Sequence, residues 1–153
     1  MSGERFTLDT NVLFYHLDAD SGPRHARAKQ IINDAAITDC WLTLQALSEF
    51  YAAVTRKRVL NPSRAEAAAR DFLAIFPTIP PTADAVRTAM AAATAGRASY
   101  WDALLVATAA EAGCTAILTE DLADGSTLLG VRVINPFAGD DLPPAAVALL
   151  GQG

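Results

Sequence analysis

The sequence predicts an α/β fold, a parallel sheet covered on both faces by helices and closed into one domain. Three observations carry that prediction. The strands read as short continuous apolar runs, such as Phe6-Thr7-Leu8 and Cys114 to Thr119, the pattern of strands buried on both faces rather than one. Segments of helical periodicity fall between those runs, as parallel strands require of their crossover connections. Alanine supplies 32 of the 153 residues, and so many small side chains point to helices packed closely together.

Taken in order, Arg5 to Asp9 reads as the first strand, ended by polar Asp9-Thr10-Asn11, with a helical stretch over Val12 to Leu17. Asp18 to Gly22 is a turn. Pro23, well placed at a first helical position, opens a helix to about Ala36 whose Ala28, Ile31, Ile32 and Ala35 form an apolar stripe. Cys40 to Thr43 is a second strand and leads into a helix from Leu44 to about Arg58, with Arg56-Lys57-Arg58 in its last turn. Asn61-Pro62-Ser63 opens a helix to about Phe76 that turns Ala65, Ala68, Ala69, Phe72, Leu73 and Phe76 inward. Pro77 to Pro81 breaks it, and Thr78-Ile79 can pair as an edge strand. Thr82 begins an Ala-rich helix to about Ala95; Ser99 caps another that runs to Ala112 and stops at Gly113. Cys114 to Thr119 and Val131 to Ile134 are two further strands, separated by a turn-rich segment from Asp121 to Ser126. Residues 139–153 form a short tail, apolar over Ala145 to Leu150, with a frayed end at Gly151-Gln152-Gly153 and no second domain.

The charge balance, 12 Lys+Arg against 17 Asp+Glu with a pI near 4.8, excludes a generally basic nucleic-acid coat. Charged residues at 19% and apolar residues at 52% exclude disorder. Cys40 and Cys114 lie in apolar surroundings with no CxxC partner or adjacent His, which argues for buried thiols rather than a zinc site. The first apolar residues are too few for a signal-peptide core, and no run approaches a membrane span. The expectation is a cytoplasmic protein without membrane contact.

In parallel α/β sheets, ligands bind beyond the carboxyl ends of the strands. Asp9 ends the first strand, Glu49 follows the second, Asp102 opens the helix before the next, and Glu120, Asp121 and Asp124 follow that strand. No strand end contributes a Lys. Several carboxylates at one locus repel unless a cation joins them, and oxygen-only ligation suits Mg²⁺ or Mn²⁺. Each acid also has an ordinary role open to it. Asp9 or Thr10 can cap the first helix, Ser99-Tyr100-Trp101-Asp102 fits a capping box, and Glu120 and Asp121 suit a turn before Gly125. It is the recurrence of an acid at every strand end that points to a metal site.

Asp9-Thr10-Asn11-Val12-Leu13, Leu47-Ser48-Glu49-Phe50-Tyr51, Tyr100-Trp101-Asp102 with the apolar run Ala103 to Ala110, and Leu118-Thr119-Glu120-Asp121-Leu122-Ala123-Asp124-Gly125 together resemble the ordered motifs of PIN-domain nucleases. The likeness is to the VapC-like ribonuclease toxins of toxin–antitoxin pairs and covers roughly residues 4 to 138, giving a nuclease domain over 1–138. It implies a three-layer α/β/α arrangement around a parallel sheet of about five strands. It also implies one or two Mg²⁺ or Mn²⁺ ions held by Asp9, Glu49, Asp102 and Asp121, with Asp124 as a further acid. Thr10, Asn11 and Thr119 would support the pocket, Asn11 by tying its loops together. The implied activity is endonucleolytic cleavage of single-stranded or structured RNA to a 5′-phosphate and 3′-hydroxyl. The implied partners are the RNA substrate and a small antitoxin, in a homodimer or a toxin–antitoxin heterotetramer.

The RNA backbone needs cations. Arg24, His25, Arg27 and Lys29 form one basic run and Arg56, Lys57 and Arg58 another; either can track phosphates or simply solvate a helix. Trp101 and Tyr15 can stack on bases or pack in the core. Two other functions fit the sequence less well. A haloacid-dehalogenase-type phosphatase wants a second Asp where this chain has Asn11, and a later Lys, whereas Lys29 and Lys57 both precede the acids of the second half. A catalytically silent PIN-like module that only binds RNA or protein would have lost a carboxylate, and none is lost.

Overall fold

The computed structural model describes residues 3–151. Gln152 and Gly153, part of the end expected to fray, lie outside the described residues. The first strand, β1 (Phe6–Leu8), is fully buried and passes directly into α1 (Thr10–Leu17) through Asp9, whose carboxylate caps the helix. Because Asp9 performs the capping, α1 starts two residues earlier than the apolar pattern indicates. A short 3-10 turn (Ala19–Ser21) joins it to α2 (Pro23–Ala35). Strand β2 is only Leu42–Thr43; Cys40, expected inside it, makes a single bridge to Phe6. Thr43 then caps α3 (Leu44–Arg56), and Asn61 caps α4 (Pro62–Ile75). The remaining elements are β3 (Thr78–Ile79), α5 (Ala83–Thr94), α6 (Tyr100–Glu111), β4 (Ala116–Leu118), β5 (Thr127–Leu128), β6 (Val131–Ile134) and α7 (Pro144–Leu149).

Four strands form the central sheet in the order β1-β4-β6-β5, with β1, β4 and β6 parallel. β2 and β3 form a separate parallel pair, joined to the β1 edge by the Phe6–Cys40 bridge and by hydrogen bonds between Phe6 and the backbone at Asp39 and Trp41. Five strands thus run parallel, in the order β3-β2-β1-β4-β6, with one interruption. The sixth, β5, was not legible in the sequence. It is antiparallel to β6 across a two-residue turn, Leu129-Gly130, in which both residues have positive φ (51° and 78°). That is the geometry of a type I′ hairpin, ordinarily signalled by Asn-Gly or Asp-Gly; Leu at its first position hides it.

The main core packs the sheet against α1–α4 and takes in Ala146, Leu149 and Leu150 of the C-terminal segment. Phe72 sits edge-on to Phe50, with centroids 5.3 Å apart. Leu73, expected to point inward with Phe72, is instead about half exposed: Ala65, Phe72 and Phe76 already fill the narrow seam α4 presents to the core. A second cluster explains the alanines. Ala85, Ala89 and Ala92 of α5 meet Ala103, Leu104 and Ala107 of α6. Small residues on both sides bring these helices close, and α6 is buried continuously from Ala103 to Ala109. Both cysteines are free and buried; burial pushes the Cys114 thiol up to about 12, so neither is a ready nucleophile.

Candidate active site at the strand ends

β1 and β4 are adjacent and parallel, so the residues that follow them emerge side by side at one edge of the sheet. There a cavity of about 320 Å³ is lined by Asp9 and Asn11 from β1–α1, Glu49 from α3, Asp102 from α6, and Glu120 and Asp121 from the loop after β4. Four expected carboxylates from four chain segments share this one pocket. A larger cleft, about 490 Å³, lies between α2 and residues 140–147. Arg27 there is occupied in bracing the backbone carbonyls of Pro136, Gly139 and Asp140, which makes that cleft a packing seam.

Asp9 is the deepest of the acids, only 6% exposed. Its Oδ1 accepts from the Thr10 N–H at 2.7 Å and its Oδ2 from the Thr119 hydroxyl at 2.7 Å. Capping and site chemistry therefore use the same carboxylate. Burial raises its pKa from 3.8 to about 6, against the lowering effect of those two hydrogen bonds; the nearby charges of Asp121 and Asp102 raise it further. Thr119 is itself a hub, its hydroxyl oxygen accepting from the Asp121 N–H at 3.0 Å and from Asn11 Nδ2 at 3.4 Å. Asn11 Nδ2 also donates to Asp121 Oδ2 at 3.0 Å, so one amide spans the loops after β1 and β4.

Asp102 keeps its side chain clear of the capping box. Ser99 accepts from the Asp102 N–H at 3.2 Å, and the Asp102 carboxylate lines the pocket. Glu49 is held by two donors, Thr10 Oγ1 at 3.2 Å on Oε2 and Gln45 Nε2 at 2.8 Å on Oε1. Asp124 is placed differently. It does not line the pocket, and its Oδ1 accepts from the Asn135 N–H at 2.9 Å, fastening the turn to the end of β6.

Two more residues belong to the site: Glu120, a strand-end acid given no ligand role in the sequence, and Gln45, not singled out there. Glu120 lines the pocket and is gripped by Tyr15, whose hydroxyl donates to Oε1, and by Arg24, whose Nε donates to Oε2 at 3.0 Å. Burial and the Glu120 hydrogen bond push the Tyr15 phenol up to about 12, so it remains a donor. No sequence signal foretells this trio, because it spans three segments. Gln45 was also missed, although its spacing four residues before Glu49 on a helix was a legible cue.

The cations divide. Lys57 reaches the pocket from the far end of α3, its Nζ 4.9 Å from the Phe14 ring centroid, although no strand end carries a Lys. Arg24 is paired with Glu120 and Arg27 with carbonyls, whereas Lys29, Arg56 and Arg58 are exposed and line no part of this pocket. His16 is half-buried against Phe72, and burial, with Lys29 and His25 nearby, lowers its pKa to about 4. It is neutral near pH 7 and stands apart from the acids.

The donor set fits a hard divalent cation: carboxylate, hydroxyl and amide oxygens with no sulfur or imidazole. Among the described residues, no three His, Cys, Asp or Glu side chains already converge into a ready ligand set. The fit therefore rests on donor chemistry, on the desolvated Asp9, and on Asn11 Oδ1, a buried carbonyl oxygen of a pocket-lining residue that has no hydrogen-bond partner. Among the described residues, no helix is long and apolar enough to cross a membrane.

Solved structures share this architecture. Superposition on VapC20 from Mycobacterium tuberculosis, a toxin that cleaves the sarcin–ricin loop, gives a TM-score of 0.64 at 21% identity, covering 76% of this chain and 89% of that one. A DNA-bound VapBC from Salmonella typhimurium gives 0.63 at 17% identity, covering 85% and 96%. A toxin–antitoxin complex from Klebsiella pneumoniae gives 0.61 at 23%, covering 86% and 97%. No curated protein matches in sequence. The PIN domain profile matches residues 6–123, a span that runs from β1 through the loop bearing Glu120 and Asp121, and the chain belongs to the PIN-domain family.

Proposed function

We propose that the protein is a Mg²⁺- or Mn²⁺-dependent endoribonuclease acting as the toxin of a toxin–antitoxin pair. One observation carries the reading: Asp9, Glu49, Asp102 and Asp121, from four separate segments, line one pocket at the strand ends of a PIN fold. The VapC and VapBC relatives support the toxin assignment and a small antitoxin partner, in a homodimer or heterotetramer.

Asp9, Glu49, Asp102 and Asp121 would hold one or two ions. A bound divalent ion supplies charge stabilisation for a phosphodiester transition state and an acidified water as nucleophile. The protein's own part is to fix the oxygens. Thr119 and the Thr10 N–H orient Asp9, Asn11 holds Asp121, and Thr10 steers Glu49. Asp124 belongs to the site only through its loop, as the brace at Asn135. Lys57, with its ammonium over Phe14 at the rim, is placed to meet a substrate phosphate, and Trp101, 63% exposed beside Asp102, offers a face to a base. Arg24, Arg27, Lys29, Arg56 and Arg58 contribute at most to the wider field.

A fluorogenic single-stranded RNA assay tests the reading, with Mg²⁺, Mn²⁺ or EDTA. Cleavage is expected with metal and lost with EDTA, and Asp102→Asn should abolish it while preserving the far-UV spectrum and unfolding midpoint. A folded wild type without metal-dependent cleavage would reject the nuclease in favour of a binding module. Growth arrest on expression, relieved by the product of a neighbouring short reading frame, would identify the antitoxin.

A further inference from the structure

We propose that Gln45 is a positioning residue for Glu49, and that its amide couples this carboxylate to the helix start that carries Asp102. The proposal rests on the nuclease reading of the pocket. Glu49 lies on the exposed side of α3, where a glutamate normally samples several rotamers and would lose that freedom on engaging a cation. Here it is held in advance. Gln45 Nε2 donates one hydrogen to Glu49 Oε1 at 2.8 Å and the other to the Trp101 carbonyl at 2.9 Å. Gln45 and Glu49 stand one turn apart on one face of α3, while Trp101 immediately precedes Asp102 in the first turn of α6.

The chemistry settles which way the amide faces. Both neighbours are pure acceptors, a carboxylate and a carbonyl, so only the NH₂ group can satisfy them. Its Oε1 is consequently buried without a partner. An unpaired buried acceptor destabilises a fold, so this amide is explained by its two donors rather than by stability. Gln45 does not line the cavity, and its influence must pass through Glu49 and the start of α6. Thr10 completes the grip from the opposite oxygen, at 3.2 Å on Oε2.

Gln45→Met keeps the volume and removes both donors. Relative to wild type, the expected result is a loss of about 10–100-fold in kcat and in Mn²⁺ affinity by calorimetric titration, the range for losing a residue that orients a metal-binding group. KM for RNA and the unfolding midpoint should hold or, for the midpoint, rise. In a Glu49→Gln background, Gln45→Met should cost less Mn²⁺ affinity than it does alone, because the part of its effect that passes through Glu49 is already lost. Gln45→Ala repeats the test should the Met variant fold poorly. A wild type that cleaves RNA while both variants match it in kcat and Mn²⁺ affinity, or effects that add in the double variant, would overturn the positioning role alone. A wild type that neither cleaves nor binds Mn²⁺ overturns the nuclease reading and this role with it.

Discussion

Asp9→Asn should make the metal-free protein more stable while removing its activity. Burial holds the Asp9 carboxyl at a pKa of about 6 against an ordinary 3.8. The folded state therefore binds this proton more tightly than the unfolded state does. Below about pH 4 both states are protonated and the residue is neutral to stability. As pH rises from 4 to 6 the unfolded chain releases the proton first, and a penalty accumulates that is complete above pH 6. Two units at about 1.4 kcal/mol each place it near 3 kcal/mol. Asn cannot accept from both Thr10 N–H and the Thr119 hydroxyl, and that hydroxyl's oxygen already accepts from Asn11 and Asp121. One lost hydrogen bond costs about 1 kcal/mol. The net gain at pH 7.5 is about 2 kcal/mol, or roughly 4–8 °C in Tm for a chain of this size. Urea unfolding in EDTA at pH 7.5 and pH 4.5 measures it. The gap between variant and wild type should be open at the higher pH and closed at the lower. Added Mn²⁺ should raise the wild type by mass action and leave the variant unmoved. A variant no more stable than wild type at pH 7.5, or a gap indifferent to pH, would refute the desolvation argument.

His16 works in the opposite direction over the same range. Its folded pKa of about 4 lies below the ordinary 6.5, so its contribution is present above pH 6.5 and is lost as pH falls towards 4. Wild-type stability should be nearly flat across this window, whereas His16→Leu should leave a protein that gains stability on acidification; a falling curve in that variant would contradict the assignment. Lys57→Gln should raise KM for single-stranded RNA several-fold with a smaller change in kcat, and should reduce the magnitude of the salt slope by about 0.7, the value for one phosphate contact on a single strand. Arg56→Gln, altering an exposed neighbour away from the pocket, serves as its control, and equal slopes for the two variants would remove Lys57 from the phosphate path.

Much of the fold was readable because local rules agreed with the tertiary outcome. Asn61, Thr82 and Ser99 each cap the helix that follows them, through a hydroxyl or amide oxygen on a nearby N–H. Departures arose where a local cue was missing or served two purposes. Asp9 acts as cap and candidate ligand at once, so its spacing could not separate the roles. Leu129 adopts a positive φ that its side chain disfavours, which concealed β5. Leu73 shares the helical period of Phe72 but faces solvent, because periodicity marks a face and not the width of the seam it meets. At the site, Glu49 and Gln45 are four residues apart, whereas Tyr15, Arg24 and Glu120 are brought together only by the fold.

Sequence alone determined that an acid stands at each strand end. Setting Asp9, Glu49, Asp102, Asp121 and Asp124 aside leaves twelve acids against twelve bases, so the excess negative charge is concentrated in these motifs. Which of those acids face a common cavity was decided by tertiary structure. Parallel pairing of β1 with β4 sets Asp9 beside Thr119 and Asp121, the Asn135 N–H turns Asp124 aside, and Tyr15 and Arg24 hold Glu120 in. The physical reason is that composition records a charge wherever it occurs, whereas burial and directional hydrogen bonds act over a few ångströms between groups up to 110 positions apart in the chain. Only the closed fold brings such groups within that range.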